Sequence, residues 1–88
     1  MHLSILDTIM IILQAADEGA KKTHIMHQCN LSSRRLHAYL DLLLDMDFLE
    51  SINLKKTENK GDSTLFKTTS KGKVFIKEYR KLKVRLVD

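Results

Sequence analysis

The sequence of 88 residues predicts a small α+β domain that is mainly helical and carries one β-hairpin. Three observations predict this class. Apolar residues recur at spacings of three and four along 4–17, 32–46 and 70–87, which is the period of amphipathic helices. Before the last of these stretches the period changes to two, as in strands. A polar segment containing Asn59 and Gly61 interrupts the strand pattern and suits the tip of a hairpin.

Composition indicates one globular domain that spans residues 1–88. Apolar residues make up 43% and charged residues 30% of the chain, which is typical of folded proteins rather than disordered ones. The longest apolar run, 9–13, is far shorter than the roughly 18 residues of a membrane span, and the N-terminus does not resemble a secretory signal. Cys29 is the single cysteine, which fits a reducing compartment. We expect a cytoplasmic protein that does not enter a membrane.

Positive charge is concentrated in the second part of the chain. Residues 1–54 carry four basic and seven acidic side chains, a net charge of −3, whereas residues 55–88 carry eleven basic and four acidic ones, a net charge of +7. The two parts add to the net charge of +4 of the whole chain. This distribution is typical of a protein that binds a polyanion, although a lysine-rich face is also common as a solvated surface.

The first predicted helix opens at Ser4 and reaches about residue 17. Ser4 and Asp7 are spaced as in a capping box in which Asp takes the place of Glu. The apolar residues of this helix are Ile5, Leu6, Ile9, Met10, Ile12 and Leu13. Because they cover more than one face, the helix is either the central core helix or a core helix with a second apolar side at a subunit interface. Gly19 suits a left-handed conformation just past its end.

Two further helices are predicted over 22–46, joined by a tight connection at 29–31. Thr23 is a candidate N-cap of the first helix, and Ser32 is the better N-cap of the second. The leucines of the second helix that fall within about 40° of one another predict its core-facing side; they are Leu36, Leu40 and Leu43. The opposite side carries Arg34, Ala38, Asp41 and Asp45. The outer side is therefore basic at its N-terminal half and acidic at its C-terminal half.

The remaining elements are a hairpin over 49–69 and a last helix over 70–87. The hairpin loop is polar and basic. Four apolar residues of the last helix are spaced four, three and four apart, which is a short a/d seam of the kind that joins helices into a coiled coil; they are Phe75, Tyr79, Leu82 and Leu86. The complete order is therefore α-α-α-β-β-α.

Helix, turn, helix and then a basic hairpin is the order of a winged helix-turn-helix, which places one helix in the major groove of duplex DNA and a loop on the neighbouring backbone. The candidate DNA-binding residues are Lys22, Thr23, Ser32, Ser33, Arg34, Arg35, His37, Lys55, Lys56, Asn59 and Lys60. Arg34 and Arg35 are the candidates for base contacts, because a guanidinium can donate two hydrogen bonds to guanine. Arginine at a helix N-terminus is unfavourable for the helix itself, which favours an external anion. Lys22 and Thr23 suit a phosphate at the N-terminus of their helix, and the hairpin residues suit the backbone or the minor groove.

Other classes of function have less support. A metal site would draw on His24, His27, Cys29 and His37, which lack the paired spacing of a zinc ligand set. Cys29 suits a small buried apolar position better. The chain has no glycine-rich phosphate loop and no nucleophile elbow, so we expect no catalytic residue, no metal and no cofactor. The alternative that stays open is a winged helix used as a protein-interaction module in a larger assembly, because Asp41 and Asp45 would repel phosphates.

The chain resembles the archaeal winged helix-turn-helix proteins, and most of all the small archaeal DNA-binding proteins that dimerise through a C-terminal coiled-coil helix. The matching positions are Gly19, Lys22-Thr23, Ile25-Met26, Asn30-Leu31-Ser32, Leu36, Tyr39-Leu40, Leu43, Leu49 and Thr69-x-Lys71-Gly72. The resemblance implies a winged-helix fold, duplex DNA as the partner, a role as a transcriptional regulator or nucleoid-associated protein, and a homodimer. The dimer contact would lie along the a/d seam of the last helix. That helix is shorter here than in the group, so we expect the first helix to add apolar surface.

Overall fold

The computed structural model describes residues 4–53 and 64–87. The elements, in chain order, are α1 (Ile5–Ala15), β1 (Ala20–Lys21), α2 (Lys22–Cys29), α3 (Ser33–Asp45), β2 (Leu49–Asn53), β3 (Thr64–Thr68) and α4 (Ser70–Val87). The predicted class, mainly helical with a small antiparallel sheet, is confirmed. The loop of the predicted hairpin, with Lys55, Lys56, Asn59 and Lys60, lies outside the described residues.

One strand, β1, is not predicted by the sequence. It pairs antiparallel with β3, which also pairs antiparallel with β2, so the sheet order is β1-β3-β2. Two residues cannot display a period of two, and this is why β1 has no signature in the sequence. Gly19 turns the chain into β1 with a φ of +100°, a conformation that favours glycine. The positive φ expected at Gly19 is therefore confirmed.

Two predicted helix caps are confirmed. The backbone N–H of Asp7 donates to Ser4 Oγ at 3.0 Å and the N–H of Ser4 donates to Asp7 Oδ2 at 3.3 Å, which completes the capping box of α1. At α3 the N–H of Arg35 donates to Ser32 Oγ at 3.2 Å. These bonds satisfy N–H groups that have no partner within the helix. They explain why α1 and α3 begin where the sequence predicts.

The prediction that Thr23 caps α2 is wrong. The helix begins at Lys22 and Lys21 occupies the cap position, with no side chain accepting a hydrogen bond from the first turn. The chain is still in strand β1 at Lys21, so the helix starts directly from the sheet. Thr23 is consequently an exposed residue of the first turn.

The core lies between α1, α2, α3, the sheet and α4, all of which contribute side chains to it. Its buried apolar residues are Ile9, Met10, Ile12, Leu13, Ala16, Ala20, Ile25, Cys29, Leu36, Leu40, Leu43, Phe48, Leu49 and Ile76. The predicted core side of α3 is confirmed, and so is the buried position of Cys29, where burial raises the pKa of the thiol. At the N-terminal end of α1, however, Ile5 and Leu6 are 65% and 47% exposed.

The end of β3 fixes α1 and α4 to the sheet. The hydroxyl of Thr68 donates to the carbonyl oxygen of Leu13 at 2.6 Å, and its backbone N–H donates to that of Ala16 at 3.0 Å. The next residue, Thr69, caps α4, because the N–H of Gly72 donates to Thr69 Oγ1 at 3.0 Å. Within 4–53 and 64–87, no helix has the length and apolar character needed to cross a membrane.

Candidate nucleic-acid interface

The first turn of α3 presents two arginines to solvent. Arg34 and Arg35 are exposed, and the next residue, Leu36, is fully buried in the core. Within the described part of the chain, neither guanidinium has an ion pair or a side-chain hydrogen bond. The Ser32 cap holds this turn in place. Two fixed cations at the start of an exposed helix form a site that suits an anion or the edge of a guanine.

The turn between α2 and α3 holds the two helices together. Asn30 ends α2 in the left-handed conformation, with a φ of +54°. Short polar side chains such as that of asparagine tolerate this conformation better than most. Leu31 packs partly buried against the core, and Ser32 then begins α3. The helix-turn-helix predicted from the sequence is thus present. Its first helix, α2, begins with an uncapped first turn.

His37 lies on the outer side of α3 and faces the acidic half of the same helix. Its Nε2 is 3.4 Å from Asp41 Oδ2, and both side chains are about two-thirds exposed, at 64% and 66%. The contact is an ion pair only when the imidazole is protonated. His37 therefore lies between the arginines and the acidic residues, and its Nε2 is directed towards Asp41.

The C-terminal half of α3 presents a surface of a different kind. Asp41 and Asp45 are exposed there, as predicted. Leu42 and Met46 are exposed as well, at 43% and 40%. At 100° per residue Leu42 lies about 120° from Leu36, so its position off the core side follows from the helical period. The outer side of α3 is therefore basic at its beginning and acidic and apolar at its end.

The seam predicted on α4 is partly used within its own chain. The ring of Phe75 stacks on Phe48, with centroids 4.9 Å apart, and lies 6.1 Å from the ring of Tyr79. The hydroxyl of Tyr79 donates to Asp7 Oδ1 at 2.9 Å. Leu82, one turn further on, is 54% exposed. Leu86 falls in the last turn of α4, and its side chain is outside the described part.

Asp7 connects the beginning of α1 to the second half of α4. Lys83 Nζ donates to Asp7 Oδ1 at 3.0 Å, beside the bond from Tyr79. The hydrogen bond from Lys83 holds the pKa of Asp7 well below its usual 3.8, and the hydrogen bonds with Tyr79 and Ser4 add to this effect. The hydrogen bond to the same carboxylate raises the pKa of Lys83 and that of Tyr79. Asp7 therefore fixes the first turn of α1 against α4.

A metal centre has no support in the geometry. Among the residues in 4–53 and 64–87, no three His, Cys, Asp or Glu side chains are grouped so that they could hold a metal ion.

A family model described as winged helix-turn-helix matches residues 4–86 of the chain. The chain belongs to the winged helix-turn-helix family. Among solved structures, this winged helix-turn-helix protein is similar to Sso10a-2, a DNA-binding protein from Sulfolobus solfataricus. The TM-score is 0.73 at 24% sequence identity, and the match covers 97% of this chain and 86% of that chain. No curated protein matches the chain. The structural likeness shows that the two proteins share the winged-helix fold.

Proposed function

We propose that this winged helix-turn-helix protein binds double-stranded DNA, with α3 in the major groove and the loop at about 55–64 on the backbone or in the minor groove. The observation that carries the proposal is the pair Arg34 and Arg35, exposed and free of ion pairs to described residues at the beginning of α3. The DNA-binding description of the similar Sulfolobus protein supports it.

The polarity of α3 suits an approach in which its N-terminal end enters the groove first. At 1.5 Å per residue, Asp45 lies about 16 Å along the axis from Arg34. A helix inclined into the groove by its first turns brings the arginines to the bases and keeps the acidic end away from the phosphates. Asp41 is closer to the arginines, but its contact with His37 lowers its net repulsion whenever the imidazole is protonated.

Phosphate contacts would come from the residues around the two helix N-termini. The uncapped first turn of α2 offers backbone N–H groups together with Lys22 and the hydroxyl of Thr23. Ser32 Oγ accepts a hydrogen bond from the backbone, which leaves its O–H proton for a phosphate, and Ser33 is exposed beside it. Backbone contacts would also come from the loop residues Lys55, Lys56, Asn59 and Lys60.

We further propose that the protein acts as a homodimer in transcription regulation or in the organisation of the chromosome. The dimer contact would use Phe75, Tyr79, Leu82 and Leu86. The exposure of Leu82 supports this, and the exposed Ile5 and Leu6 of α1 would add apolar surface to the contact.

The DNA proposal is tested by changing Arg34 and Arg35 together to alanine. Because both side chains are exposed, the melting temperature should stay within about 4 °C, since surface substitutions rarely exceed about 0.5 kcal/mol. Affinity for a short duplex should fall at least about thirty-fold, given roughly 1–3 kcal/mol for each bidentate contact. A gel-shift or anisotropy titration measures it.

The matched control changes Lys71 and Lys73 to alanine, which removes the same charge from the exposed beginning of α4. Its affinity should change only a few-fold. An equal loss in both variants would mean that total charge alone governs binding, and no loss in either would remove α3 from the mechanism.

The alternative, a protein-interaction module, is favoured by one observation, the exposed Leu42 and Met46 beside Asp41 and Asp45. The dependence of affinity on salt distinguishes the two. Each phosphate that a cation neutralises contributes about −0.9 to the slope of log K against log salt concentration, so DNA binding should weaken steeply as salt rises. An affinity that hardly changes with salt would support the alternative.

A further inference from the structure

The C-terminal half of α3 carries a group of exposed residues that the DNA proposal does not use. We call it the acidic patch and define it by Asp41, Leu42, Asp45 and Met46. Leu42 and Met46 are one turn apart and are 43% and 40% exposed, respectively. A shallow cleft of about 610 Å³ lies over Asp41, Leu42, Leu44 and Asp45. Two large apolar side chains between carboxylates form a surface that a partner can cover.

The charge around the acidic patch excludes DNA as its occupant. From residue 38 to residue 54 the sequence contains no Lys, Arg or His, and it contains four acidic residues. Apart from His37 beside Asp41 and Lys67 opposite Glu50, this stretch offers only charges that repel phosphates. The occupant must instead offer cations around an apolar centre.

The outer side of α4 has that composition. We call it the basic patch and define it by Val74, Lys77 and Lys81, which fall within about 60° of one another at 100° per residue. Val74 is 58% exposed, and the two lysines are exposed on the turns that follow. Lys81 has only a loose contact of 3.9 Å with Glu78, and Lys77 has no ion pair with any residue in the described ranges. The basic patch lies roughly 120° around the helix from the stripe of Phe75 and Leu82.

We propose that the acidic patch of one molecule docks on the basic patch of a second copy of the same chain. Both patches combine exposed apolar and charged side chains, and the charges that define them are opposite. Glu78 lies at the margin of the basic patch, in loose contact with Lys81. Because two different surfaces meet, the contact is head-to-tail and can repeat from one copy to the next. The proposal goes beyond DNA binding, and it uses a face of α4 other than the one proposed for the dimer.

The contact is expected to be weak and dependent on salt. Exposed ion pairs contribute on the order of 0–1 kcal/mol each and are screened within about 10 Å at 0.1 M salt. Self-association should therefore appear at high protein concentration and low salt. Copies held on one polyanion would meet at a raised effective concentration.

A charge exchange tests the proposal. One variant carries Asp41→Lys with Asp45→Lys, the other carries Lys77→Glu with Lys81→Glu, and both carry Leu82→Ser to weaken the contact proposed for the dimer. In sedimentation velocity at low salt without DNA, the Leu82→Ser parent should sediment faster as its concentration rises. Each variant alone should not, because its two patches then have charges of the same sign. An equimolar mixture should regain the concentration dependence of the parent, since every contact again joins opposite charges.

Several outcomes would overturn the proposal. A mixture that sediments like its separate components would do so, and so would variants that self-associate like the parent. A parent that never self-associates, combined with a loss of DNA affinity on Lys77→Glu with Lys81→Glu, would assign the basic patch to DNA. Circular dichroism shows whether each variant is folded, and the mixture controls for any local damage because both components are present in it.

Discussion

At the scale of single residues, Gly72 determines how closely α4 approaches Phe48, the residue that directly precedes β2. A Cβ at this position would collide with the carbonyl oxygen of Phe48 and would press on the methyl group of Thr68. The colliding atom is backbone that already accepts a hydrogen bond from the N–H of Thr69 at 3.0 Å, so it cannot move away at low cost. Glycine is required here for the close approach, although glycine is a poor residue for a helix interior.

Replacing Gly72 with alanine should therefore destabilise the protein by about 1–3 kcal/mol, the range for overpacking, although alanine favours a helix by about 1 kcal/mol. Urea unfolding followed by circular dichroism measures the change. Ser70→Ala, in the exposed first turn of the same helix, is the control and should change stability by no more than about 0.5 kcal/mol. Stability at or above that of the parent in Gly72→Ala would show that α4 moves away freely.

The residues of the candidate interface show what sequence can and cannot predict. Ser32 as a cap and Leu36 as a core residue follow from local spacing, and the structure confirms both. Thr23 fails as a cap because β1 carries the chain directly into α2, and strand pairing over a long sequence separation leaves no local signal. Leu42 lies off the core side by the same local spacing, and its exposure agrees with that position.

At the scale of elements, α1 and α4 are joined by a charged contact that the sequence does not reveal. Asp7 lies 72 residues before Tyr79 and 76 before Lys83, yet it binds both side chains. A pattern of three- and four-residue spacings reports only neighbours within one helix.

This contact predicts a dependence of stability on pH. The folded pKa of Asp7 lies below its unfolded value, so its contribution is present above about pH 4 and is lost as the pH falls further. Lys83 has a raised pKa, so its contribution is present below about pH 10 and is lost above it. Asp7→Asn should lower the melting temperature at pH 7 and should make it fall less between pH 7 and pH 3 than in the parent.

Lys83→Gln is the control for that measurement, because it keeps the capping box and removes the largest cause of the low pKa. It should show part of the same effect. If the parent and Asp7→Asn lost stability in parallel on acidification, another carboxylate would be responsible.

At the scale of the whole molecule, the proposed dimer predicts that Leu82 matters to association but not to folding. Leu82 is 54% exposed, whereas Phe75 packs on Phe48 in its own chain. Leu82→Ser should therefore shift the sedimenting species towards the monomer at physiological salt with little change in melting temperature. Lys81→Ser, at the neighbouring position, is the control and should leave the mass unchanged at that salt. An unchanged mass in Leu82→Ser would place any dimer contact elsewhere.

The architecture could be predicted from the sequence because helix periods, caps and the order of elements are local properties. The placement of charge could be predicted as well, since residues 55–88 hold eleven of the fifteen Lys and Arg residues. The sheet order β1-β3-β2 could not be predicted, because it joins segments that are distant in the chain. The basic beginning and the acidic end of α3, by contrast, are predicted from the sequence.

The hydrogen bonds at Thr68 have a mechanical consequence. This residue ends the strand that returns from the hairpin loop, it is bonded to the carbonyls of Leu13 and Ala16, and it directly precedes the entry to α4. Any displacement of β3 would therefore act on the C-terminal end of α1 and on the beginning of α4, because one threonine joins the strand to both helices.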